Sequence, residues 1–409
     1  MKHIDALNNK YSCSGCTACA QSCPKQCITM SSDYEGFKYP IVDETRCIQC
    51  GICIKVCPWR KEKYQRPINC FTEPIVYAAK CKDKNIRLNS TSGGIFTVLS
   101  DYILQLQGGI CGAVYNTSTQ KVEHTITFTT EGRNKMRGSK YVQSELSNTF
   151  QDIKTLSHSL RQSAIYKTPS TILSVCCLIP LVPGYGVYNT LYSFLKKDYP
   201  KLVIVDILCH SVPSPLILHE ILKKYAPTNI SFRDKSLGWR KSYSFQIKEN
   251  NRAIQNKTFL NLFFKGLINR PSCYNCIFTN TYRTSDFTIG DYWNIKAVNP
   301  KFEDSLGISC ILINTPKGKH VFEQIQNKIE NVQTELKPAL QTCLQRHTTE
   351  PIQKRKRFWS DYTEKGFDFC EKVYGHYTPI EKIKANILAP MARKAGISKF
   401  LRKYKNQNL

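Results

Sequence analysis

Two runs of four cysteines near the amino end constrain this chain more than any other feature. Each run has the spacing C-x2-C-x2-C-x3-C and is followed directly by proline. The first run contains Cys13, Cys16, Cys19 and Cys23, and the second contains Cys47, Cys50, Cys53 and Cys57. Closely spaced thiolates are ligands for soft metals and for iron–sulfur clusters. The amino-terminal segment is therefore expected to fold around metal centres.

The spacing is that of bacterial ferredoxins with two 4Fe-4S clusters, in which the fourth cysteine of each run ligates the cluster held by the other run. It therefore predicts a two-cluster 4Fe-4S ferredoxin-type domain over residues 1–66. One cluster would take Cys13, Cys16, Cys19 and Cys57, and the other Cys47, Cys50, Cys53 and Cys23. Two structural zinc sites are the alternative, but these would need paired Cys or His rather than four-cysteine runs ending in Cys-Pro. The additional Cys27 is interpreted as a small buried hydrophobe.

Length and composition indicate the size of the remaining chain and the compartment in which the protein works. The chain has 409 residues, which leaves room for one large or two medium domains after the first. Its 20 cysteines and an opening Met1-Lys2-His3-Ile4-Asp5 that contains no apolar stretch favour the reducing cytoplasm. The most apolar segment, Val175 to Val187, is interrupted by Pro180 and Pro183 and is too short to span a bilayer.

The formal net charge of +27 is unusual for an electron-transfer protein. Two cubes with their thiolates would each contribute about −2 and leave roughly +23. Such a surface favours an acidic electron-transfer protein or partner oxidoreductase subunit, an anionic substrate or a membrane surface. No recognised nucleic-acid-binding motif accompanies the charge, so no specific nucleic acid is expected. The basic run Lys354 to Arg357 is interpreted as a solvated helix face, with an anion or membrane contact as the alternative.

The rest of the chain alternates strand and helix signals. A strand at Val76 to Lys80, a glycine turn at Thr91 to Gly94 and a helix at Ile95 to Leu106 come first. Further strands are predicted at Ile110–Tyr115, His124–Phe128, Ile230–Phe232, Tyr243–Ile247, Phe287–Ile289 and Cys310–Asn314. Further helices are predicted at Pro215–Tyr225 and Gly318–Val332.

The run Leu202 to Leu208 predicts a strand buried on both faces. It ends in Cys209-His210, at the carboxyl end of a strand, where open α/β sheets bind their ligands. His210 is the candidate acid–base residue by this position, and a buried structural Cys-His pair is the alternative.

These signals predict an α+β ferredoxin-like dicluster module followed by a larger α/β domain and a basic helical C-terminal tail. The expected boundaries are 1–66 for the ferredoxin-type domain, 70–154 and 155–340 for two parts of the α/β domain, and 345–409 for the tail.

Five motifs, taken together and in this order, resemble the coenzyme F420 hydrogenase/dehydrogenase beta-subunit family with an N-terminal two-cluster 4Fe-4S ferredoxin domain. The motifs are Ser90-Thr91-Ser92-Gly93-Gly94-Ile95-Phe96, Arg137-Gly138-Ser139-Lys140-Tyr141-Val142-Gln143-Ser144, Asp206-Ile207-Leu208-Cys209-His210-Ser211-Val212-Pro213-Ser214-Pro215, Ser272-Cys273-Tyr274-Asn275-Cys276 and Thr288-Ile289-Gly290-Asp291-Tyr292-Trp293. The resemblance extends from residue 1 to about residue 330. It implies an α/β domain that binds FAD and passes electrons between iron–sulfur clusters and a deazaflavin or another organic acceptor.

The resemblance also implies site residues. Ser92, Gly93 and Gly94 would lie against the FAD phosphates, and Gly138, Ser139, Lys140 and Tyr141 would also belong to the flavin site. Cys209, Cys273 and Cys276 resemble three ligands of a possible third 4Fe-4S cluster. A flavin fits such a chain because clusters exchange one electron at a time and hydride donors exchange two.

Residues 157–190 depart from the family, whose members have a Gly-Thr-Pro-Cys-Gln turn at this point. Alignment back from Leu191 to Leu195 places Gly186 at the expected cysteine, while Cys176 and Cys177 lie nearby without the turn residues. Three explanations remain open. A divergent loop could supply Cys176 or Cys177 to the cluster, the segment could have lost the third cluster, or a compensated reading-frame error could have scrambled it.

The sequence thus predicts a cytoplasmic iron–sulfur flavoprotein oxidoreductase that relays electrons between a ferredoxin-like donor and a small organic substrate or deazaflavin through FAD. The alternatives are a non-catalytic iron–sulfur electron-transfer subunit of a larger complex, which needs only the two amino-terminal clusters, and the product of a gene damaged across residues 157–190.

Overall fold

The computed structural model describes residues 3–4, 9–59, 70–162, 194–195, 201–236, 238–249 and 252–378. The predictions that concern Cys176, Cys177, Gly186 and the tail beyond residue 378 fall outside these residues. Two compact units are present. One comprises Met1–Asn256 with Ile268–Glu350, and the other comprises Lys257–Leu267 with Pro351–Leu409.

The amino-terminal module is built from two similar halves. Helix α1 (Ala18–Gln21) precedes strand β1 (Ile28–Ser32), and strand β2 (Lys38–Val42) precedes helix α2 (Ile52–Lys55). The two strands pair antiparallel, with Ile28 opposite Val42. Each one-turn helix follows a residue in the left-handed region, Thr17 at φ 61° and Gly51 at φ 69°. In each half, the helix that begins after this residue carries the third cysteine of the run.

The main unit is built on a five-stranded mixed sheet in the order β12-β3-β11-β10-β6. Its strands are β3 (Ile75–Cys81), β6 (Val205–Ile207), β10 (Phe287–Asp291), β11 (Ser309–Ile313) and β12 (Ile329–Thr334). Neighbouring strands are antiparallel except β6, which runs parallel to β10. All five residues of β11 are buried, so the core lies on both faces of the sheet.

Two smaller sheets and a set of helices surround this core. A hairpin is formed by β4 (Ile110–Asn116) and β5 (Lys121–Thr127), and a three-stranded antiparallel sheet by β7 (Asn229–Arg233), β8 (Tyr243–Glu249) and β9 (Arg252–Asn256). The helices of this unit are α3 (Lys84–Leu88), α4 (Ile95–Gln105), α5 (Thr130–Met136), α6 (Thr149–Gln162), α7 (Pro215–Leu222), α9 (Ile295–Val298), α10 (Pro316–Ile325), α11 (Leu336–Ala339) and α12 (Thr342–Gln345). Short 3-10 helices lie at Lys10–Ser12, Trp239–Lys241, Pro271–Asn275, Pro300–Phe302 and Gln326–Lys328.

The second unit pairs α8 (Thr258–Phe264) with α13 (Ile352–Tyr374), which Gly366 interrupts with φ 77°. Asn261 donates its side-chain amide to the Gly375 carbonyl at 2.7 Å, and Trp359 donates its indole N–H to the Leu267 carbonyl at 3.1 Å. Within the basic run, Lys354, Lys356 and Arg357 are exposed, as predicted, but Arg355 is buried. The interpretation as a wholly solvated face is therefore wrong at Arg355, which lies on the side of the helix that also carries Phe358 and Trp359.

Most predicted strands and helices of the main unit are confirmed to within a few residues, with two exceptions. The predicted helix Gly318–Val332 is wrong in its second half, since α10 ends at Ile325 and β12 follows. The strand predicted over Leu202–Leu208 is limited to the three residues of β6. Among the described residues, no helix is long and apolar enough to cross a membrane.

Candidate functional site

The first four cysteines predicted to share a cluster line a single cavity. Cys13, Cys16, Cys19 and Cys57 all border it. Burial is the main cause that raises the pKa of the Cys19 thiol, and the neighbouring thiolates of Cys16, Cys13 and Cys57 raise it further. The fourth cysteine of the second run thus lies beside the first three of the first run, which is the arrangement that the spacing predicts.

A second cavity holds the complementary set. Its walls include Cys23, Cys47, Cys50, Cys53 and the additional Cys27. Cys50 is exposed, whereas Cys16 and Cys19 of the first cavity are buried. Cys27 is 3 % exposed, as expected for a buried hydrophobe, but its sulfur lies 3.4 Å from that of Cys23. The second cavity therefore contains five thiols.

A third cavity forms where the carboxyl end of β6 meets the 3-10 helix Pro271–Asn275. Cys209, Cys273 and Cys276 line it, as the family resemblance predicts, and Cys343 of α12 lines it as well. The sulfur of Cys273 accepts a hydrogen bond from the Val212 amide at 3.3 Å, and the Cys209 thiol donates to the Ser211 carbonyl at 3.8 Å. Sequence reasoning missed Cys343 because no neighbouring cysteine gives it a recognisable spacing.

The first and third cavities are neighbours. Ser14 and Trp59 line both of them, and the Trp59 ring meets that of Phe278 edge to face at 5.5 Å. Arg270 also connects the two regions, because it precedes Cys273 in the chain and donates to the Cys13 carbonyl at 2.8 Å. Within the described ranges, no group of three or more His, Cys, Asp or Glu side chains is arranged as it would be around one metal ion.

The two loops predicted to hold FAD lie together. The amide of Ser139 donates to the hydroxyl of Thr91 at 2.9 Å. Much of the first loop is used to pack on β11, since Ser92 donates to the Ile308 carbonyl at 2.7 Å and the Gly93 amide to the Ser309 hydroxyl at 2.9 Å. Gly94 begins α4 with φ 87°. Gly138, at φ 81°, faces open space.

Lys140 and Tyr141 have different surroundings. Burial lowers the pKa of Lys140 to about 7, and its ammonium donates to the carbonyls of Met136 and Arg137 at 2.8 Å each, at the end of α5. The Tyr141 hydroxyl accepts from Arg233 at 3.2 Å. The backbone of this loop is therefore open at Gly138, while the lysine side chain caps a helix.

Three side chains beside these loops, those of Arg233, Lys235 and Trp239, were missed at the sequence level, and they surround Asp291 and Trp293 of the fifth motif. Arg233 donates to the Asp291 carboxylate at 3.0 Å, and the Trp239 indole donates to the other oxygen of Asp291 at 2.6 Å. The Trp239 and Trp293 rings stack with centroids 4.8 Å apart. Lys235 donates to the Ser92 carbonyl at 2.8 Å, and burial lowers the pKa of its ammonium to about 7. Isolated Arg, Lys and Trp residues give no motif, so the sequence alone did not single them out.

His210 lies where the sequence places it, after β6 and beside Cys209. Its residue is exposed, and it lines the third cavity. Its carbonyl accepts from the Thr348 hydroxyl at 2.7 Å. A fully buried Cys-His pair does not fit the exposure of this residue, although burial of the imidazole against the cavity wall still lowers its pKa.

Comparison with known proteins bears on both halves of the chain. Residues 12–61 match the model of a 4Fe-4S dicluster domain. Residues 186–338 match the model that describes the C terminus of the coenzyme F420 hydrogenase/dehydrogenase beta subunit. Residues 141–212 also match a model described as threonine/serine exporter, ThrE. The described part of that range forms α6 and the sheet strand β6.

One relative is NADH-quinone oxidoreductase subunit I 2 of Geobacter metallireducens, with 39 % identity over 60 residues. The match covers 13 % of this chain and 46 % of that protein, so the chain spans about half the length of this relative. A solved structure of the F420-reducing [NiFe] hydrogenase complex from Methanosarcina barkeri is similar with a TM-score of 0.44 and 17 % identity. That similarity covers 75 % of this chain and 94 % of the other.

The resemblance predicted from the motifs is therefore confirmed: residues 12–61 match a 4Fe-4S dicluster domain, and residues 186–338 match the C-terminal domain of the coenzyme F420 hydrogenase/dehydrogenase beta subunit.

Proposed function

We propose that this protein is an iron–sulfur flavoprotein oxidoreductase that relays electrons from its dicluster domain into the main α/β unit. One observation carries the proposal. Each predicted set of four cysteines, although divided between two runs, lines its own cavity. Four thiolates around one recess are what a 4Fe-4S cube requires.

The burial of the two sets suggests the order of transfer. The second cavity is the more accessible, because Cys50 is exposed, and it would exchange electrons with an external donor. The first cavity has the buried Cys16 and Cys19 and shares Ser14 and Trp59 with the third. Electrons would therefore pass from the surface cluster to the inner cluster and on towards Cys209, Cys273 and Cys276, which we propose hold a further 4Fe-4S cluster.

FAD is the proposed converter between one-electron clusters and a two-electron organic acceptor. The loops at Thr91 and Ser139 are in contact, and Gly138 leaves its backbone open on the side where a side chain would otherwise project. Next to them, the Arg233 guanidinium supplies positive charge at the Tyr141 hydroxyl, which favours the pyrophosphate of a dinucleotide. A deazaflavin or another small organic molecule would then be the acceptor.

A non-catalytic electron-transfer subunit is the second candidate. Two groups predicted to bind the flavin already make hydrogen bonds within the protein, which favours this candidate. The Gly93 amide donates to the Ser309 hydroxyl, and the Lys140 ammonium donates to carbonyls at the end of α5. The relative that matches the dicluster domain is itself named as a subunit, which fits a partner oxidoreductase subunit. The net charge of +27 favours an acidic docking surface on that partner or on a ferredoxin-like donor.

The deciding experiment measures cofactors and electron flow in anaerobically purified, iron-reconstituted protein. Released flavin, iron and sulfide are counted per chain, and the protein is then mixed with reduced ferredoxin and oxidised deazaflavin. About one FAD per chain, reduced after the clusters, supports the flavoprotein. Clusters that reduce without any bound flavin favour the electron-transfer subunit. A protein with less iron than two cubes, roughly eight atoms, would overturn both proposals.

A further inference from the structure

We propose that Cys343 is the fourth protein ligand of a 4Fe-4S cluster held by Cys209, Cys273 and Cys276. The inference rests on the proposed iron–sulfur function and gives its third cavity a complete set of four thiolates. Three cysteines cannot supply the fourth iron of a cube with a thiolate. The segment in which family members carry another cysteine has none at the aligned position here, Gly186.

The position of Cys343 supports this role. It is on α12, which is separated along the chain from the other three cysteines, yet it lines the same cavity. Its residue is 7 % exposed, so its thiol is directed into the protein rather than into solvent. It also lies beyond residue 338, where the match to the family model ends. The family model therefore assigns nothing to Cys343.

Two hydrogen-bonded anchors hold α12 over the cavity. On one side, the Gln341 side chain donates to the Asp291 carbonyl at 2.5 Å. On the other side, the Thr348 hydroxyl donates to the His210 carbonyl at 2.7 Å and is 2.8 Å from the Ser211 hydroxyl. The second anchor adjoins Cys209 in sequence. The segment that carries Cys343 is thus fixed to the segment that carries a predicted ligand.

The charges around the cavity suit a thiolate cluster. Cys343 lines the same cavity as Cys209 and Cys276, so charges on these sulfurs share one enclosed space. The guanidinium of Arg283 is 3 % exposed, lies 3.2 Å from the Asp206 carboxylate, and donates at 2.9 Å to the carbonyl of Phe278, two residues after Cys276. Because a cube with four thiolates has a net negative charge, the Arg283 guanidinium offsets part of the cost of burying it, and the ion pair with Asp206 limits this contribution.

The test counts iron and sulfide in the full-length, anaerobically reconstituted protein and records its EPR spectra. Wild type should contain about 12 iron atoms in three cubes. Cys343→Ala should contain about 11, with the EPR signal of an oxidised three-iron cluster, or about 8 if the cluster is lost altogether. Cys81→Ala is the matched control, because Cys81 is also buried but lies on β3 and lines none of the three cavities. It should keep the wild-type content.

Two further variants make the outcome decisive. If Cys343→Ala does not fold, Cys343→Ser tests the same ligand, since a serine oxygen keeps the size but shifts the EPR signal of a bound cluster. The double variant Cys176→Ala/Cys177→Ala tests the rival ligands and should keep the wild-type content. The inference is overturned if Cys343→Ala matches wild type, or if wild type itself holds only about 8 iron atoms. The latter result would also remove the third cluster from the proposed relay, but it would leave the two clusters of the dicluster domain in place.

Discussion

The guanidinium of Arg270 donates from Nη2 to the sulfur of Cys13 across 3.8 Å. The same side chain donates from Nε to the Cys13 carbonyl and is only 1 % exposed. A buried cation therefore lies directly against one predicted ligand of the first cluster. Hydrogen bonds to cluster sulfurs and nearby charge set the reduction potential, and a positive donor stabilises the more negative reduced state.

We expect Arg270→Gln to lower the midpoint potential of the first cluster. Loss of ~1.4 kcal/mol of preferential stabilisation of the reduced state corresponds to about 60 mV for one electron. Arg270→Lys should lower it less, because the charge remains while the fork of donors is lost. The potential is measured by a redox titration followed by EPR. Arg252→Gln, at an exposed residue of β9, is the control, and an unchanged potential in Arg270→Gln with full iron content would contradict the assignment.

The neighbouring sulfurs of Cys23 and Cys27 give a second prediction. Because they are 3.4 Å apart, Cys27 can take over as a ligand when Cys23 is removed. Cys27→Ala should keep both clusters of the dicluster domain. Cys23→Ala should also keep both of them, but with an altered EPR spectrum. The double variant should lose the second cluster, which is about four iron atoms per chain.

Iron analysis and EPR of reduced protein check this result. Cys57→Ala is the comparison, since the first cavity has no fifth cysteine among its lining residues to replace it. We expect its first cluster to lose iron while the second remains. If Cys23→Ala instead lost as much iron as the double variant, Cys27 would be a packing residue alone.

The cysteine pattern predicted the dicluster domain because its information is local. The residue separations within each run determine which thiols can surround one cube, and the rule that exchanges the fourth ligands places Cys57 beside Cys19. Cys343 carries no such signal. Its position beside Cys209 depends on how the chain returns after β12, and the Gln341 and Thr348 anchors join segments far apart in sequence.

The same distinction explains the strand that the sequence missed. Ile329 to Thr334 continues a helix-like apolar pattern, but pairing with β3 decides its conformation, with Ile329 opposite Cys81 and Thr334 opposite Val76. Long-range pairing can override local propensity in this way. Arg233 and Trp239 were missed for a related reason, because they acquire their surroundings from Asp291 only in the folded chain.

Substitutions at Gly93 and Gly138 should distinguish a loss of packing from a loss of flavin binding. A Cβ at Gly93 would lie 2.4 Å from the Ala79 carbonyl oxygen and 2.8 Å from the Ser309 amide, so the backbone would have to move. Gly93→Ala should destabilise the fold by about 1–3 kcal/mol. A Cβ at Gly138 would have no other atom within 4 Å, so Gly138→Ala should lower the free energy of unfolding by only about 1–2 kcal/mol, the cost of its positive φ.

Thermal unfolding and bound FAD per chain are measured on both variants. If the open side of Gly138 faces the flavin, Gly138→Ala should lose FAD while remaining folded. Gly93→Ala should lower Tm by at least as much as Gly138→Ala does. Any loss of FAD in Gly93→Ala should be proportional to the loss of folded protein. Full FAD occupancy in folded Gly138→Ala would remove this loop from the flavin site.

Asp304 joins two largely buried cations and gives the fold a pH dependence. Its carboxylate accepts from Arg87 and from Lys80, the latter at 3.2 Å. Partial burial would raise the pKa of Asp304, but hydrogen bonding and charge from Arg87 outweigh this effect and lower it. Because the folded-state pKa is below the unfolded one, the stabilisation is complete above the ordinary carboxyl pKa of about 3.9 and is lost as pH falls through the folded-state pKa.

Asp304→Asn should therefore lower the free energy of unfolding at neutral pH. The carboxylate is 32 % exposed, so water screens the pair and the loss should be about 1–2 kcal/mol. Denaturant unfolding is measured for wild type, Asp304→Asn and the exposed control Asp152→Asn. The difference between wild type and Asp304→Asn should be constant from about pH 7 to about pH 5 and shrink below about pH 4. A difference that grew on acidification would mean that the Asp304 carboxyl is protonated more readily in the folded protein than in the unfolded chain.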